Sequence, residues 1–213
     1  MFKETIIFVK EGIREFQSTG SFFPSSKWAA EALTGPIRSR QGPSNILEVG
    51  PGSGPVTVRI LKDMSPEDQL TICEINPRLM QALKRKLSTN ADYLRNKDRV
   101  SFFLGPVQEM SNGDKFDLII CAIPFLNLDV NTVEGIFDKL VEVSNEQTVM
   151  TYFEYIGIRR ISKVVSPPQR KRRIEQLDLY FKTVYLRHNM KRHIVWLNVL
   201  PINIYKLQLA QAA

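Results

Sequence analysis

The segment from Glu48 to Gly54 reads Glu-Val-Gly-Pro-Gly-Ser-Gly and places a carboxylate just before three closely spaced glycines. It begins within an apolar run, Ile46 to Val49, and precedes a helical pattern, so it stands where a strand passes into a helix. Glycine lets the backbone turn sharply and approach a ligand closely, and a helix N-terminus presents free amide groups. This pattern predicts a turn that binds part of a cofactor.

A second acidic residue, Glu74, ends the next apolar run, where a carboxylate can accept both hydroxyls of a ribose. A glycine turn alone also fits a dinucleotide site or a plain tight turn. The spacing Glu-x-Gly-x-Gly-x-Gly, opened by Glu48, resembles the first signature of class I methyltransferases rather than the dinucleotide fingerprint. This resemblance implies S-adenosylmethionine as the cofactor.

The same resemblance implies which residues contact each part of S-adenosylmethionine. Glu48 and the glycine turn would border the methionine part, Glu74 the ribose, and Ile75 one face of the adenine. Pro106 stands where many relatives carry an acidic residue for the adenine amine, so that contact would come from the Val107 amide or from a side chain at Gln108 or Glu109. The predicted cofactor residues from these segments are Glu48, Gly50, Pro51, Gly52, Gly54, Glu74, Ile75, Val107 and Gln108.

The acceptor is expected at Ala122-Ile123-Pro124-Phe125-Leu126-Asn127, which follows the fourth predicted strand. Open α/β sheets bind ligands at this carboxyl edge, so this segment should face the transferable methyl, with Ala122 among the predicted cofactor residues. In amine methyltransferases a proline-aromatic corner exposes backbone carbonyls to the acceptor nitrogen, and an aromatic ring attracts the cationic product. The alternative is that Phe125 and Leu126 are core side chains at a strand end.

Apolar runs that alternate with helical patterns predict an α/β fold with a doubly wound, mostly parallel sheet of the Rossmann-like type. A basic amphipathic helix should follow Pro168, and two apolar runs on either side of Pro201 predict a C-terminal antiparallel hairpin. Residues 1–19 form a separate amphipathic N-terminal helix in this interpretation, and residues 20–213 the methyltransferase domain. The apolar face of the N-terminal helix comprises Phe2, Ile6, Val9, Ile13 and Phe16.

The chain has 213 residues and a net charge of +7, and basic side chains crowd its last third, including Arg170 to Arg173. This charge predicts a polyanionic partner, either nucleic acid or an anionic lipid surface, although a solvated face without a partner is the alternative. No apolar run is long enough to span a bilayer, so a cytoplasmic location is expected. Cys73 and Cys121 are expected to be buried and reduced, and no metal site is predicted.

Several segments together resemble the bacterial phospholipid N-methyltransferases, which convert phosphatidylethanolamine to phosphatidylcholine. The resemblance extends from about Phe16 to Lys206, and its most specific parts are Gly-Ser-x-x-Pro-Ser-Ser near the start and Trp-x-Asn near the end. The matching segments are Gly20 to Ser26, Ile46 to Gly54, Ala122 to Asn127, Met150 to Tyr152 and Val195 to Pro201.

The resemblance implies an N-terminal helix that docks on anionic phospholipid at the inner face of the plasma membrane, and repeated methylation of a phospholipid amine. Ser25 and Ser26 would lie over the methionine end of the cofactor, while Tyr152, Asn127 and Trp196 would surround the headgroup. Phe153-Glu154-Tyr155 and Ile202 depart from the family pattern, so an ornithine-type aminolipid is a second substrate candidate.

An alkyl ammonium with a pKa near 10, like that of lysine, must lose a proton before it attacks, and Glu154, His188 and His193 are the general-base candidates. Adenine dimethyltransferases of ribosomal RNA share the glycine loop and the proline-aromatic corner. They usually carry Asn-Leu-Pro-Tyr there, where this chain has Ala122 to Phe125, so nucleic acid is not expected as the partner. A non-catalytic binding module is the other alternative, and the oligomeric state is not predicted.

Overall fold

A computed structural model describes residues 26–111, 113–159, 162, 166–198 and 200–209 of the chain. Its central element is a seven-stranded sheet with the order β3-β2-β1-β4-β5-β7-β6. The strands are β1 (Asn45–Val49), β2 (Gln69–Glu74), β3 (Val100–Leu104), β4 (Phe116–Cys121), β5 (Ser144–Tyr155), β6 (Lys191–Val195) and β7 (Ile202–Gln208).

Helices cover both faces of the sheet, and short 3₁₀ turns follow β3, β4 and one helix. The helices are α1 (Lys27–Leu33), α2 (Gly35–Ser39), α3 (Pro55–Asp63), α4 (Pro77–Leu87), α5 (Ala91–Asn96), α6 (Val130–Glu142) and α7 (Pro168–Arg187). The 3₁₀ turns are Lys97–Arg99, Val107–Glu109 and Phe125–Asn127. Within the described ranges, none of the helices combines the length and the apolar content that a bilayer crossing requires.

The directions of the strands define one edge of the sheet that carries the loops of interest. β1 to β5 pair in parallel, β7 is antiparallel to β5, and β6 is antiparallel to β7. β6 therefore runs in the same direction as β5, and the strands β1 to β6 all end at one edge. We call this the carboxyl edge, and the opposite one the amino edge.

Successive side chains of each strand point to opposite faces of the sheet, so they contribute to two separate cores. On one face, Leu47, Cys121 and Tyr152 pack with buried side chains of α6 and α7. On the other, Ile46 and Ile120 pack with α1, α3 and α4. Because both faces are covered, the central strands are apolar throughout, which is typical of doubly wound parallel sheets.

The predicted sheet, its double winding and the C-terminal hairpin are confirmed. The basic helix is also confirmed as α7, and the residues of its predicted apolar stripe are buried: Ile174, Leu177, Phe181 and Val184. The hairpin differs in its bounds, because β6 begins at Lys191 rather than Ile194 and ends at Val195. The predicted N-terminal helix and the boundary after residue 19 lie outside the described residues. Cys73 and Cys121 are buried free cysteines, as predicted.

Candidate cofactor and acceptor site

The turn between β1 and α3 requires glycine at two positions, Gly50 and Gly54. Gly50 has a φ of 74°, and a Cβ there would stand 3.2 Å from Cγ1 of Ile123. Gly54 has a φ of 78°, and a Cβ there would collide with Cδ1 of Leu83 on α4. Side chains other than glycine rarely adopt such φ values, and here they would also displace neighbouring side chains. The turn is therefore held close to both β4 and α4.

Glu74 ends β2 and is fixed by the backbone on both sides of it. Its Oε2 accepts a hydrogen bond from the amide of Gly52 at 3.3 Å, and its Oε1 accepts one from the amide of Asn76 at 2.9 Å. A carboxylate oxygen has two acceptor positions, so each oxygen keeps one for a ligand hydroxyl. The buried carboxylate is thus oriented in advance to accept the two hydroxyls of a ribose.

A pocket of about 340 Å³ opens beside Glu74 at the carboxyl edge. Its walls include seven of the predicted cofactor residues, namely Gly50, Gly52, Glu74, Ile75, Val107, Gln108 and Ala122. The sequence interpretation missed one part of the lining, which we call the far wall. It consists of Leu79 on α4, Leu128 after the 3₁₀ turn Phe125–Asn127, and Thr132 and Ile136 on α6. These are ordinary apolar or small polar residues in helical patterns, so only their spatial position identifies them.

Glu48 does not line the pocket, and its side chain is fully buried. Among the described residues neither carboxyl oxygen has a hydrogen-bond partner of good geometry, and the nearby hydroxyl of Thr57 makes only a weak interaction with it. Burial raises the pKa of Glu48 to about 8; the interaction with Thr57 opposes this rise, and the charge of Glu74 adds to it. Buried polar groups without partners are rare in folded proteins, so an unpaired carboxyl next to a cofactor turn suits a ligand that brings a positive group.

Pro51 and Gly54 belong to the same turn but do not line the pocket. Residues 46–147, which contain this turn and the pocket, match a family model described as a methyltransferase domain. This part of the chain is a class I methyltransferase domain. Its cofactor is S-adenosylmethionine, and the oriented Glu74, the unpaired Glu48 and the apolar pocket fit the ribose, the methionine ammonium and the adenine in turn.

Solved structures share the fold of this methyltransferase at low sequence identity. One is described as a caffeoyl-CoA O-methyltransferase from Staphylococcus aureus, with 17% identity, a TM-score of 0.65, and coverage of 92% of this chain and 91% of that one. An O-methyltransferase from Bacillus cereus in complex with SAH has 14% identity, a TM-score of 0.60, and coverage of 93% and 90%.

A third structure, described as an RNA methyltransferase from Pyrococcus horikoshii, has 15% identity and a TM-score of 0.54, with coverage of 85% and 84%. No curated protein sequence matches the chain. At these identities the solved structures support the fold of the methyltransferase, and its acceptor has to be argued from the geometry of the site.

A second, much smaller cavity of about 40 Å³ adjoins the cofactor pocket. Pro124 contributes to the walls of both, so the corner after β4 separates the two spaces. The remaining walls are mostly apolar and aromatic, with Glu154 as the acidic member: Phe125, Leu126, Phe153, Glu154, Tyr155 and Ile158. This is the end of β5, where the carboxyl edge places an acceptor next to the cofactor.

Glu154 belongs to a partly buried charged group with Arg159 and Asp178. Nε of Arg159 donates to Oε2 of Glu154 at 3.0 Å and a second guanidinium nitrogen donates to Oε1, while Nη1 donates to Asp178 at 2.6 Å. The guanidinium also lies 4.6 Å from the ring centre of Phe181. Burial raises the pKa of Glu154, and the pairing with Arg159 opposes that rise. These three side chains comprise two acids and one base, so they favour a cationic ligand.

The proline-aromatic corner is more closed than predicted. The carbonyl of Ile123 accepts a hydrogen bond from the amide of Phe125 at 3.0 Å, and that of Pro124 accepts one from Asn127 at 2.9 Å. Each carbonyl therefore has only its second acceptor position left for an acceptor nitrogen. The ring of Phe125 is buried in the core, in line with the alternative interpretation, while Asn127 is partly exposed and lines neither cavity.

The position of Tyr152 corrects the expected one. Its ring is fully buried and stacks on Tyr205 with 4.8 Å between ring centres, and its hydroxyl lies 2.5 Å from that of Tyr185. It lines neither cavity because it stands two residues before Glu154 on β5, one repeat deeper in the sheet. The structure therefore places Tyr152 in the aromatic core rather than around a headgroup.

Trp196 was predicted beside the headgroup and His193 as a general base, but both line a different space. Both border an open groove of about 790 Å³ between α1–α2 and the β6–β7 hairpin, and this groove shares no lining residue with the two cavities. His188 is the C-cap of α7, and its carbonyl accepts from the amide of Gln208 at the amino edge, away from the site. Of the three predicted bases, only Glu154 lies at the acceptor cavity.

Ser26 also occupies a position other than the expected one, and Ser25 lies outside the described residues. The hydroxyl of Ser26 accepts from the amide of Ala29 at 3.2 Å, so the residue is the N-cap of α1 rather than part of the cofactor pocket. Among the residues described, no cluster of His, Cys, Asp or Glu side chains has an arrangement that could hold a metal ion.

Proposed function

We propose that this methyltransferase transfers methyl groups from S-adenosylmethionine to the amine nitrogen of phosphatidylethanolamine, giving mono-, di- and trimethylated products. The observation that carries the proposal is the acidic, aromatic-walled cavity at Glu154, which adjoins the cofactor pocket across Pro124. An acceptor in this cavity would be held next to the cofactor. The proposal has two parts, the chemical class of the acceptor and its attachment to a lipid.

The properties of the cavity support an amine acceptor. The carboxyl of Glu154 attracts an ammonium, and rings such as Phe153 and Tyr155 stabilise a cation through their faces. Its volume of about 40 Å³ is small, so it favours the end of a headgroup over the two fused rings of a purine base.

When bound, S-adenosylmethionine supplies a methyl group on a positively charged sulfur, which leaves with the electron pair of the broken carbon–sulfur bond as the acceptor nitrogen forms its bond to the methyl carbon. Each of the three transfers consumes one methyl donor. A primary, secondary or tertiary amine must present its lone pair, so any ammonium proton must leave before attack. Glu154 holds the ammonium and is placed to receive that proton, because Arg159 occupies only part of its acceptor capacity.

Two further features support a phospholipid as the carrier of the amine. The two sequence elements that most specifically resemble phospholipid N-methyltransferases meet in space, since the amide of Ser26 donates to Oδ1 of Asn198 at 3.0 Å. The basic run Arg170 to Arg173 begins α7, and such a run favours an anionic lipid surface. We therefore propose a peripheral location on the inner face of the plasma membrane, with anionic phospholipid as the partner.

The experiment offers the enzyme several acceptors with S-adenosylmethionine labelled in the methyl group. The acceptors are short-chain phosphatidylethanolamine in detergent micelles, ornithine lipid in the same micelles, phosphatidylserine as a lipid with a more acidic amine-bearing headgroup, and total RNA. Incorporation into phosphatidylethanolamine supports the proposal. Label in RNA alone, or in ornithine lipid alone, would reject phosphatidylethanolamine as the substrate.

The variant Glu154→Gln sharpens this experiment because it keeps the shape of the side chain and removes its charge. We expect it to lower lipid methylation at least tenfold. Glu175→Gln is the matched control, because Glu175 is an exposed glutamate on α7. Equal loss of activity in both variants would contradict the role of the Glu154 cavity.

A further inference from the structure

Trp28 and Trp196 are the two tryptophans of the chain, and both are unusually exposed for their size. Their exposed fractions are 43% and 68%, and the adjacent Leu197 is 65% exposed. Both rings border the open groove between α1–α2 and the β6–β7 hairpin. Large apolar side chains that are exposed together mark a surface that contacts another apolar phase.

The chain direction places these side chains at the carboxyl edge. Trp196 directly follows β6, which ends at that edge together with β5. Trp28 lies in the first turn of α1, which Ser26 ties to the same loop through a hydrogen bond from its hydroxyl to the carbonyl of Leu197 at 2.9 Å. The two tryptophans therefore stand on the edge of the molecule that also carries the cofactor pocket and the Glu154 cavity.

Other exposed apolar side chains lie at the same edge. Leu104 is the last residue of β3 and Ile156 directly follows β5, and both are exposed. Ile75, which follows β2, is also exposed, although it lines the cofactor pocket as well. By contrast, the exposed Leu186 lies in the last turn of α7 near the amino edge, because the carbonyl of the C-cap His188 accepts a hydrogen bond from Gln208 at the end of β7. The carboxyl edge thus has an apolar character that continues past the two tryptophans.

Positive charge accompanies these apolar side chains. α7 ends at the amino edge, and a helix of its length covers about 30 Å, so its first turn and the run Arg170 to Arg173 point back to the carboxyl edge. Cations at a helix N-terminus interact unfavourably with the helix dipole, so helix stability does not explain this run. In addition, Nζ of Lys27 lies 4.5 Å from the ring centre of Trp28. Tryptophan with lysine and arginine is the combination that favours the interface between water and an anionic bilayer.

We propose that Trp28, Trp196 and Leu197 form an interfacial anchor that inserts into the surface of an anionic phospholipid bilayer. The anchor orients the carboxyl edge towards the bilayer, so that a headgroup amine meets the Glu154 cavity without leaving the lipid surface. The inference rests on the proposed function for its choice of a lipid partner, and it adds the side chains that enter the bilayer. It concerns only residues that the structure describes.

The anchor can be observed directly, because Trp28 and Trp196 account for all tryptophan fluorescence of the chain. We expect the emission of the full-length protein to shift to shorter wavelength on addition of vesicles of phosphatidylethanolamine and phosphatidylglycerol. Lipids brominated near the headgroup end of the acyl chain should quench it by half or more. Trp28→Phe and Trp196→Phe should each leave a single ring that is still quenched. Emission that is neither shifted nor quenched while the protein sediments with the vesicles would overturn the anchor.

A binding measurement gives an independent readout. We expect the double variant Trp196→Ala and Leu197→Ala to lower the vesicle partition coefficient at least tenfold, as the loss of two inserted apolar side chains requires. The control is Leu186→Ala, an exposed leucine near the amino edge, and it should partition like the parent protein. Unchanged affinity for S-adenosylhomocysteine would show that the double variant is folded. Equal partitioning of the double variant and the control would reject the anchor.

The anchor and the proposed function can fail separately. Short-chain phosphatidylethanolamine in detergent micelles tests the chemistry without a bilayer. Methylation in micelles, together with tryptophan emission that brominated vesicles do not quench, would retain the function and reject the anchor. Absence of methylation there, with label in RNA and tryptophan emission quenched by RNA instead of lipid, would reject both.

Discussion

The backbone amide of Ser26 donates a hydrogen bond to Oδ1 of Asn198 at 3.0 Å, joining residues from opposite ends of the described chain. The Ser26 hydroxyl donates to the carbonyl of Leu197, and Nδ2 of Asn198 donates to the carbonyl of Leu200 at 2.9 Å. α1 and the loop after β6 are thus one structural unit. This contact explains why Ser26 and Asn198 can matter together although neither lines the cofactor pocket.

Replacing the side chain of Ser26 or of Asn198 should lower the free energy of unfolding. We expect Ser26→Ala to lower it by about 1 kcal/mol through the lost N-cap, and Asn198→Ala by about 1–2 kcal/mol because it leaves a partly buried amide unpaired. The double variant should lose less than the sum, since the Ser26 hydroxyl and the Asn198 side chain both join α1 to the loop after β6. Urea unfolding measures all three, with the exposed Asn131→Ala as the control. Strictly additive effects would contradict the coupling.

Cofactor affinity should depend on Glu74 and on the space at Gly50. Glu74→Ala removes the acceptor for the ribose, and Gly50→Val places a branched side chain against Ile123 at a φ that such residues rarely adopt. We expect each to weaken S-adenosylhomocysteine binding at least a hundredfold in calorimetric titration. Glu67→Ala, at an exposed position before β2, is the control. Parent-like affinity in both Glu74→Ala and Gly50→Val would mean that the cofactor binds elsewhere.

Local sequence signals predicted the cofactor side well because backbone demands determine it. A glycine with positive φ or an acidic residue at a strand end has few structural alternatives, and the structure brings Gly50, Gly52 and Glu74 together in the wall of one pocket. The helix α7 was likewise predictable from the spacing of its buried residues. Leu128, Thr132 and Ile136 reach the far wall only because α6 and the segment before it pack beside the pocket, and no local sequence pattern encodes that packing.

The acceptor side was harder because strand residues two positions apart have the same orientation at different depths. Tyr152 and Glu154 both belong to β5 and face the same core, yet Glu154 reaches the cavity and Tyr152 does not. Trp196 was expected at the headgroup, but β6 ends at Val195 and the loop turns towards α1. The short helices α1, α2 and α5 were also not predicted, since a single turn or two has too few residues to establish a period.

Tyr152→Phe should affect stability more than turnover. The hydroxyl pairs with that of Tyr185 in the aromatic core, where burial raises the pKa of Tyr152 well above its ordinary value, so it stays protonated and away from the cofactor pocket. We expect a loss of about 1 kcal/mol in the free energy of unfolding and a change in kcat of less than threefold. Urea unfolding and steady-state kinetics measure the two. A hundredfold loss of kcat with parent-like stability would indicate that Tyr152 acts at the acceptor site.

Removing the charge of Glu154 should affect the acceptor and spare the cofactor. In Glu154→Gln, Arg159 keeps its pair with Asp178, so the fold should persist. We expect KM for phosphatidylethanolamine to rise and kcat to fall, together lowering kcat/KM at least tenfold, with S-adenosylhomocysteine affinity unchanged. Asp178→Asn, which removes charge from the same group without lining the cavity, should give a smaller loss. Identical loss in the two variants would indicate a structural role for the charged group alone.

The buried carboxyl of Glu48 should make the stability of the cofactor-free protein depend on pH. Burial raises its pKa from 4.5 to about 8 in the folded protein, so between these values the folded chain holds a proton that the unfolded chain has lost. Stability must then fall as the pH rises through this window, by at most about 1.4 kcal/mol per pH unit. Glu48→Gln removes the titrating group and should flatten this slope, so that the variant gains stability over the parent as the pH increases from 5 to 8. Urea unfolding at several pH values measures the difference, and Glu67→Gln controls for the loss of an exposed carboxylate. A parent and a Glu48→Gln variant with the same pH dependence would show that Glu48 is ionised in the folded protein.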